Sequence, residues 1–237
     1  MSATELYMRV REREGRLYPD DIAIHLPDLP KGHPLAGEWR ARAASLQRLA
    51  HYIARLPTPM RILELGTGNG WLSHGLSAVP GNWIWGLDRE SSELAQAARL
   101  FKSKTVAFLA GDIFRAPFRD AGFDLVIVAS AIQYFADLPE LIDQLRRLLT
   151  PRGELHILDS PLYQLTEVQA ARERSEAYYA SIGLPEMSAC YFHHTFAEVE
   201  AFSPNWLYRP ASPGPSLRRF LGKTDSPFPW FRIGKSA

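Results

Sequence analysis

Between a proline stop at Pro57 and Pro59 and a helical apolar stretch, the chain reads Arg61-Ile62-Leu63-Glu64-Leu65-Gly66-Thr67-Gly68-Asn69-Gly70-Trp71. The first five residues form a short apolar strand. The glycines that follow suit a tight strand-to-helix turn and the close approach of a ligand to backbone N–H groups. Spacing narrows the ligand. A dinucleotide fingerprint needs a third glycine where Trp71 stands, and a phosphate loop needs Gly-Lys-Ser/Thr, which is absent. Glu64 sets a carboxylate beside the turn, a poor neighbour for a pyrophosphate and a good one for a cationic ligand.

Outward from this turn the pattern alternates. Leu72, Leu76 and Val79 share one face of a helix read over Asn69–Ala78. Trp83–Leu87 is a second strand, Ser91–Lys102 a helix aligned on Leu94, Ala98 and Phe101, and Val106–Leu109 a third strand. Phe123–Ala129 is apolar enough to be a central strand buried on both faces. Asp137 caps a helix striped by Leu138, Leu141, Ile142, Leu145 and Leu148, and Pro151-Arg152-Gly153 turns into a fifth strand, Glu154–Leu158. Such alternation with short turns implies an α/β fold, a parallel sheet covered on both faces, with ligands beyond the carboxyl ends of the strands. Beyond the fifth strand, Thr166–Gln169 and Thr195–Glu198 read as capping boxes opening two more helices. Late strands fall near Trp206–Arg209 and Trp230–Ile233. Between them lies a Pro/Ser-rich loop (Pro210, Pro213, Pro215) with a basic patch at Arg218 and Arg219.

Acidic residues end three consecutive strands: Glu64, Asp88 in Gly86-Leu87-Asp88, and Asp112 in Gly111-Asp112-Ile113. Asp88 lies 22 residues past Gly66, a spacing at which a carboxylate accepts from ribose hydroxyls. Asp112 is placed to accept from an exocyclic amine. Helix capping explains any one of these positions more easily than all three.

In order and spacing, residues 60–160 resemble the class I S-adenosylmethionine-dependent methyltransferases. The glycine turn resembles that family's first motif, Gly86-Leu87-Asp88 its ribose motif and Gly111-Asp112-Ile113 its adenine motif. Phe123–Ser130 resembles its fourth strand, and the late strand from Trp230 its antiparallel last one. The resemblance implies a doubly wound, seven-stranded, mostly parallel sheet of the Rossmann-like kind, with S-adenosylmethionine as cofactor. It implies that Gly66 and Gly68 approach the methionine portion and that Glu64 holds its ammonium. Asp88 then grips the ribose, Asp112 with Ile113 the adenine, and Ser130 lines the pocket beside the sulfonium. The nucleic-acid branches fit poorly: Ala129-Ser130-Ala131-Ile132 stands where one needs Asn/Asp-Pro-Pro-aromatic, and Cys190 follows Ala189 where another needs Pro-Cys.

Two segments outside this frame read as substrate-side covers: residues 1–58, with charges alternating with aromatics before a helix from Trp39, and 160–194, inserted into a domain spanning 59–237. The early charges read as a solvated helix face. The aromatics Tyr7, Tyr18, Tyr163, Tyr178, Tyr179, Tyr191 and Phe192 suit either a substrate wall or the core that docks the covers. A general base is needed only for a weakly acidic hydroxyl or a protonated amine. Asp159, just past the fifth strand, is the first candidate and His193 the second. Tyr163, His194 and His25 are further ones, and no third ligand is spaced to make His193-His194 a metal site.

The 237 residues carry 27 Lys plus Arg against 26 Asp plus Glu, a net charge of +1. That balance lacks the basic surplus of a protein living on nucleic-acid phosphates. A single cysteine, Cys190, precludes an intrachain disulfide. No apolar run reaches the length of a membrane span, and Met1-Ser2-Ala3-Thr4-Glu5 does not begin as a secretory signal. The expectation is a cytoplasmic enzyme that methylates a small molecule, without nucleic-acid or membrane partners. The alternatives are a non-catalytic interaction module of this fold and a protein or RNA methyltransferase. A nicotinamide oxidoreductase is disfavoured by Trp71.

Overall fold

The computed structural model describes residues 2–30, 32–214, 216 and 224–235. Pro215, Arg218 and Arg219 lie outside the described residues. Seven strands form one sheet in the order β3-β2-β1-β4-β5-β7-β6. They are β1 Met60–Leu65, β2 Asn82–Asp88, β3 Val106–Ala110, β4 Phe123–Ala129, β5 Leu149–Leu158, β6 Asn205–Tyr208 and β7 Trp230–Gly234. The first five run parallel, and β7 lies antiparallel to both β5 and β6. The doubly wound, mostly parallel sheet read from the alternation is the one observed.

Alternate residues of the central strands feed opposite faces. Leu63, Leu65, Val126, Val128, Leu155 and Ile157 pack with the apolar stripe of α6 (Leu138–Leu148). Ile62, Leu125, Ile127 and Leu158 pack against Leu49 and Ile53 of α3 (Ala36–Ile53) and Leu72 and Leu76 of α4 (Trp71–Leu76). The Asp137 side chain accepts from Glu140 N–H and starts α6 where the sequence placed it.

Several boundaries differ from the sequence reading. β5 begins at Leu149 rather than Glu154, because Phe123 pairs with Leu149 before a bulge re-registers Leu125 against Glu154. On α5 (Ser91–Leu100) the buried positions are Glu93, Leu94 and Ala97, with Ala98 turned outward. The capping box expected at Thr166 forms instead between Gln164 and Glu167. It opens a short 3-10 turn that leads into α7 (Val168–Ser181). The box at Thr195 is observed and starts α8 (Phe196–Glu200).

The first helix, α1 (Ala3–Arg13), and α2 (Asp20–Ala23) precede α3. Leu6 and Val10 of α1 pack with Tyr179, Leu184 and Met187 in a small core of their own. The N-terminal segment and the insertion after β5 therefore meet in space. Among the described residues no helix is long and apolar enough to cross a membrane.

Candidate active site

The turn after β1 takes left-handed backbone at Gly66 (φ 77°), Gly68 (φ 51°) and Gly70 (φ 78°). A Cβ at Gly66 would stand 2.6 Å from that of Ala131, so the turn is pressed against the chain leaving β4. Gly68 N–H donates to Asp88 Oδ2 (2.8 Å) and Glu90 N–H to Oδ1 (3.0 Å), locking the end of β2 to the glycine turn. Burial raises the Asp88 pKa against these hydrogen bonds. Glu64 is 2% exposed. Its Oε2 accepts from the Thr67 and Ser73 hydroxyls, and burial pushes its pKa up to about 7.

Two cavities open at this edge of the sheet. The larger, about 400 Å³, is floored by Glu64, Gly68, Ser130 and Asp159 and walled by Trp39, Arg42 and the aromatics of α7. The smaller, about 280 Å³, is bounded by Leu65, Asp88, Glu90, Ala131 and Phe135, with Met187 and Phe192 opposite. Gly66, Ser130, Tyr7 and Tyr134 line both. The Tyr7 and Tyr134 rings meet edge to face at 5.3 Å on that boundary.

Ser130 and Asp159, at the ends of adjacent strands β4 and β5, both hold non-glycine left-handed backbone, at φ 53° and 55°. Such conformations cost energy and persist where surrounding contacts enforce them. Here Ser130 Oγ donates to the Asp159 carbonyl (2.9 Å), and Asp159 Oδ1 accepts from Ser45 Oγ (2.8 Å) and Ser226 Oγ (2.6 Å). Asp159 thus joins α3, β5 and the segment before β7 while facing the larger cavity. Burial raises its pKa, opposed by these hydroxyls and by Arg42 and Arg48.

Of the residues singled out from sequence, Glu64, Gly66, Gly68, Ser130 and Asp159 line the larger cavity, and Asp88 joins Gly66 and Ser130 in the smaller. Asp112 and Ile113 line neither. Asp112 Oδ1 accepts from Phe114 N–H (3.1 Å), and the Ile113 side chain is packed in the core beside α6. His193 lines a separate cleft with Arg172, Glu176 and Glu198, its Nε2 2.9 Å from Ser175 Oγ. Burial and the neighbouring Arg172 lower its pKa. His194 is buried, with Nε2 3.0 Å from the Phe135 carbonyl, and His25 is exposed.

Several cavity residues escaped the sequence reading. Arg11 is not on a solvated face: its Nη2 donates to the buried Glu93 (2.9 Å), and its side chain lines the larger cavity. Arg42 pairs with Glu38 at 2.7 Å, and Arg16 holds Glu38 at 2.7 Å through both guanidinium ends. Gln133 and Tyr134 follow β4, at the strand end where ligands are expected, and that position was their one available signal. The cationic wall has no local motif, because it is assembled from α1, α3 and α7.

A family model described as a methyltransferase domain matches residues 58–219. The chain belongs to the methyltransferase-domain family. The matched span of this methyltransferase domain runs from just before β1 past β6 and so takes in the glycine turn, Asp88 and Asp159. The demethylmenaquinone methyltransferase of Thermus thermophilus is 36% identical over 126 residues, 52% of this chain and 54% of its own. The malonyl-[acyl-carrier protein] O-methyltransferase of Erwinia pyrifoliae is 36% identical over 118 residues, 50% of this chain and 44% of its own. The chain thus spans about half the length of the curated relatives it matches. Among solved structures, phosphoethanolamine N-methyltransferase 2 of Haemonchus contortus shares the fold, with a TM-score of 0.63 at 14% identity over 100% of this chain and 61% of that one.

The class I methyltransferase superfamily implies S-adenosylmethionine, and the residues present fit it. Arg11 Nε and Gln133 Oε1, both on cavity-lining side chains, are buried with no partner among the described residues. One is a donor and the other an acceptor, a pair that suits a ligand carrying both a carboxylate and an ammonium. The Gly66 turn leaves no room for a side chain and keeps the backbone at the boundary of the two cavities.

Proposed function

We propose that the chain binds S-adenosylmethionine across the two joined cavities and methylates a small molecule seated in the larger one. The observation that carries this reading is the shared boundary at Gly66, Ser130, Tyr7 and Tyr134. A ligand with its ribose at Asp88 and its amino-acid end at Glu64 crosses that boundary. Asp88 accepts from the Gly68 and Glu90 N–H groups, with Arg89 N–H also lowering its pKa, and its carboxylate keeps acceptor capacity for a ribose hydroxyl. Glu64 and Gln133 receive the ammonium and Arg11 the carboxylate; Asp112 and Ile113 line neither cavity, and their part at the adenine edge rests on the family resemblance alone.

S-adenosylmethionine, when bound, supplies a methyl group on a sulfonium sulfur, which keeps the carbon–sulfur electron pair as the group leaves. What remains for the chain is to hold the acceptor lone pair roughly 3–3.5 Å from the methyl carbon and to exclude water. Residues 1–58 and 160–194 act as the covers that do so over the 59–237 domain. Where the acceptor must lose a proton, Asp159 on the cavity floor takes it; His193, in its separate cleft, is set aside for that role.

The test is calorimetric. S-adenosylmethionine should bind the intact chain stoichiometrically, and Asp88→Ala should weaken it by about tenfold or more, as buried hydroxyls lose their acceptor. No binding would leave a non-catalytic interaction module of this fold. Labelled methyl should then appear on members of a small-molecule panel, and label found only on protein or RNA from an extract overturns the assignment of the acceptor.

A further inference from the structure

The cavity wall that faces the acceptor is donor-rich. On α7, Ala171, Arg174, Ser175 and Tyr178 recur at the three-and-four spacing of one helical face, and all line the larger cavity. That face carries one aliphatic side chain of minimal size among polar ones. Tyr163 and Tyr191 close the wall beside it.

The charges of this cavity are mostly spent on one another. Arg11 is paired with Glu93, Arg42 with Glu38, and Arg16 with both Glu14 and Glu38. Glu14 also accepts from the Tyr178 hydroxyl at 2.6 Å. Arg174 differs. It stands exposed at the cavity edge with no hydrogen bond or ion pair to any described residue, and its charge acts on Tyr163 and His193. The hydroxyls of Tyr163, Tyr179 and Tyr191 likewise make no hydrogen bond with a described residue. Burial raises all three phenol pKa values, so they stay protonated at neutral pH and offer O–H donors. The Arg174 charge acts on Tyr163, and Tyr179 and Tyr191 line the same cavity near Glu14, whose carboxylate is held by Arg16 and the Tyr178 hydroxyl. An uncommitted guanidinium with phenol donors on one wall is complementary to an oxyanion. A wholly apolar acceptor would displace water from the Tyr179 and Tyr191 hydroxyls without replacing its hydrogen bonds.

We propose that the acceptor carries an oxyanion, a carboxylate or a phosphate monoester, held by Arg174 with the hydroxyls of Tyr163, Tyr179 and Tyr191. This rests on the methyl-transfer reading for the rest of the site. The anionic end lies under α7 and the methylated atom at the Gly66–Ser130 boundary. The anion therefore selects and orients the acceptor, and it is not itself the methylated group.

The experiment is equilibrium binding to the full chain, with and without S-adenosylhomocysteine, of matched probes. 4-Hydroxybenzoate is paired with 4-hydroxybenzamide, 4-hydroxyphenyl phosphate with hydroquinone, and 3-hydroxypropionate with its amide. At least one anion should bind about tenfold or more tightly than its uncharged twin. Arg174→Ala should abolish that preference and Arg174→Lys keep part of it. Because Arg174 is exposed and unpaired, both variants should melt with the wild type and bind S-adenosylhomocysteine unchanged. Preference for the benzoate and propionate marks a carboxylate, and preference for the phosphate marks a monoester. If no anion is preferred over its twin, or if the preference survives Arg174→Ala, the proposal is wrong. Failure of S-adenosylhomocysteine to bind counts against the methyl-transfer reading alone, since the anion preference is also measured without it.

Discussion

Arg11 Nη2 and Glu93 Oε1, 82 residues apart in sequence, lie 2.9 Å apart and join α1 to α5. Both side chains are largely buried, and the Glu93 carboxylate is the nearest neighbour a Cβ at Gly68 would meet, at 3.6 Å. The pair thus ties α1 to the helix beneath the glycine turn.

Arg11→Ala leaves Glu93 buried without its cation, which for a buried pair costs about 3–5 kcal/mol. Since α1 lies at the edge of the fold, the expected response is release of α1 and not loss of the sheet. Limited proteolysis should cut within residues 3–18 faster, with the main melting transition nearly unmoved. Glu93→Gln in the same background should restore part of the protection. Equal cleavage rates in all three proteins would show that the pair holds nothing.

Gly66 and Gly183 separate backbone strain from crowding. Both are left-handed, at φ 77° and 74°, but a Cβ at Gly183 meets nothing within 4 Å. Gly183→Ala should therefore cost only the conformational term, about 1–2 kcal/mol. Gly66→Ala adds a Cβ 2.6 Å from that of Ala131, and overpacking of this kind costs a further ~1–3 kcal/mol. Urea denaturation should rank them in that order, and only Gly66→Ala should also impair S-adenosylhomocysteine binding.

Two buried groups oppose each other in pH dependence. Burial raises Glu64 from 4.5 to about 7, so the folded chain holds that proton longer than the unfolded one, and stability is lost as pH rises through about 7. Burial lowers His156 from 6.5 to about 3, so the unfolded chain binds that proton first, and stability is lost as pH falls below 6.5. His156 Nδ1 accepts from Trp230 Nε1–H (3.1 Å), which leaves Nε2–H to donate to Glu154 (3.1 Å), the neutral arrangement. Between about 4.5 and 6.5 the two slopes offset. Glu64→Gln should expose the His156 limb, with stability rising to about pH 6.5 and level above it. Denaturant melts across that range measure this, and an unchanged profile would refute the Glu64 assignment.

Asp159→Ala removes the acceptor of Ser45, at about 1–3 kcal/mol for a buried hydroxyl left unsatisfied, while Ser226 keeps the Phe228 carbonyl as a second acceptor. Asp159→Asn keeps an acceptor oxygen and should melt close to the wild type. That variant can therefore report on proton transfer without a folding defect. A full methylation rate in Asp159→Asn would leave Asp159 a purely structural residue.

The sheet was legible because strand and helix patterns are local. An apolar run such as Phe123–Ala129, or the stripe of α6, states its own conformation and burial. The glycine turn and Asp88 were legible for the same reason, since spacing along one βαβ unit fixes their meeting. The cationic wall was not. Arg11, Arg42 and Arg174 belong to three helices and come to line one cavity only when these fold over the strand ends. The α5 stripe was misread by one residue because Glu93 is buried through a partner, Arg11, on another helix. The bulge in β5 depends on pairing with β4, which no residue of β5 encodes alone.

The small core of Leu6, Val10, Tyr179, Leu184 and Met187 brings together the N-terminal segment and the insertion after β5, far apart in sequence. Contacts between residues so distant in sequence close a long loop, so they form late in folding and dissolve early. This core draws almost nothing from the sheet, and loosening it would free α1 together with the Pro185–Cys190 turn while the strands stay paired. Hydrogen exchange should accordingly divide the molecule into a slow sheet and a faster roof that opens as one cooperative piece. Tyr7, on the cavity boundary, would travel with that piece, making the opening of the roof the step that admits ligand to both chambers at once.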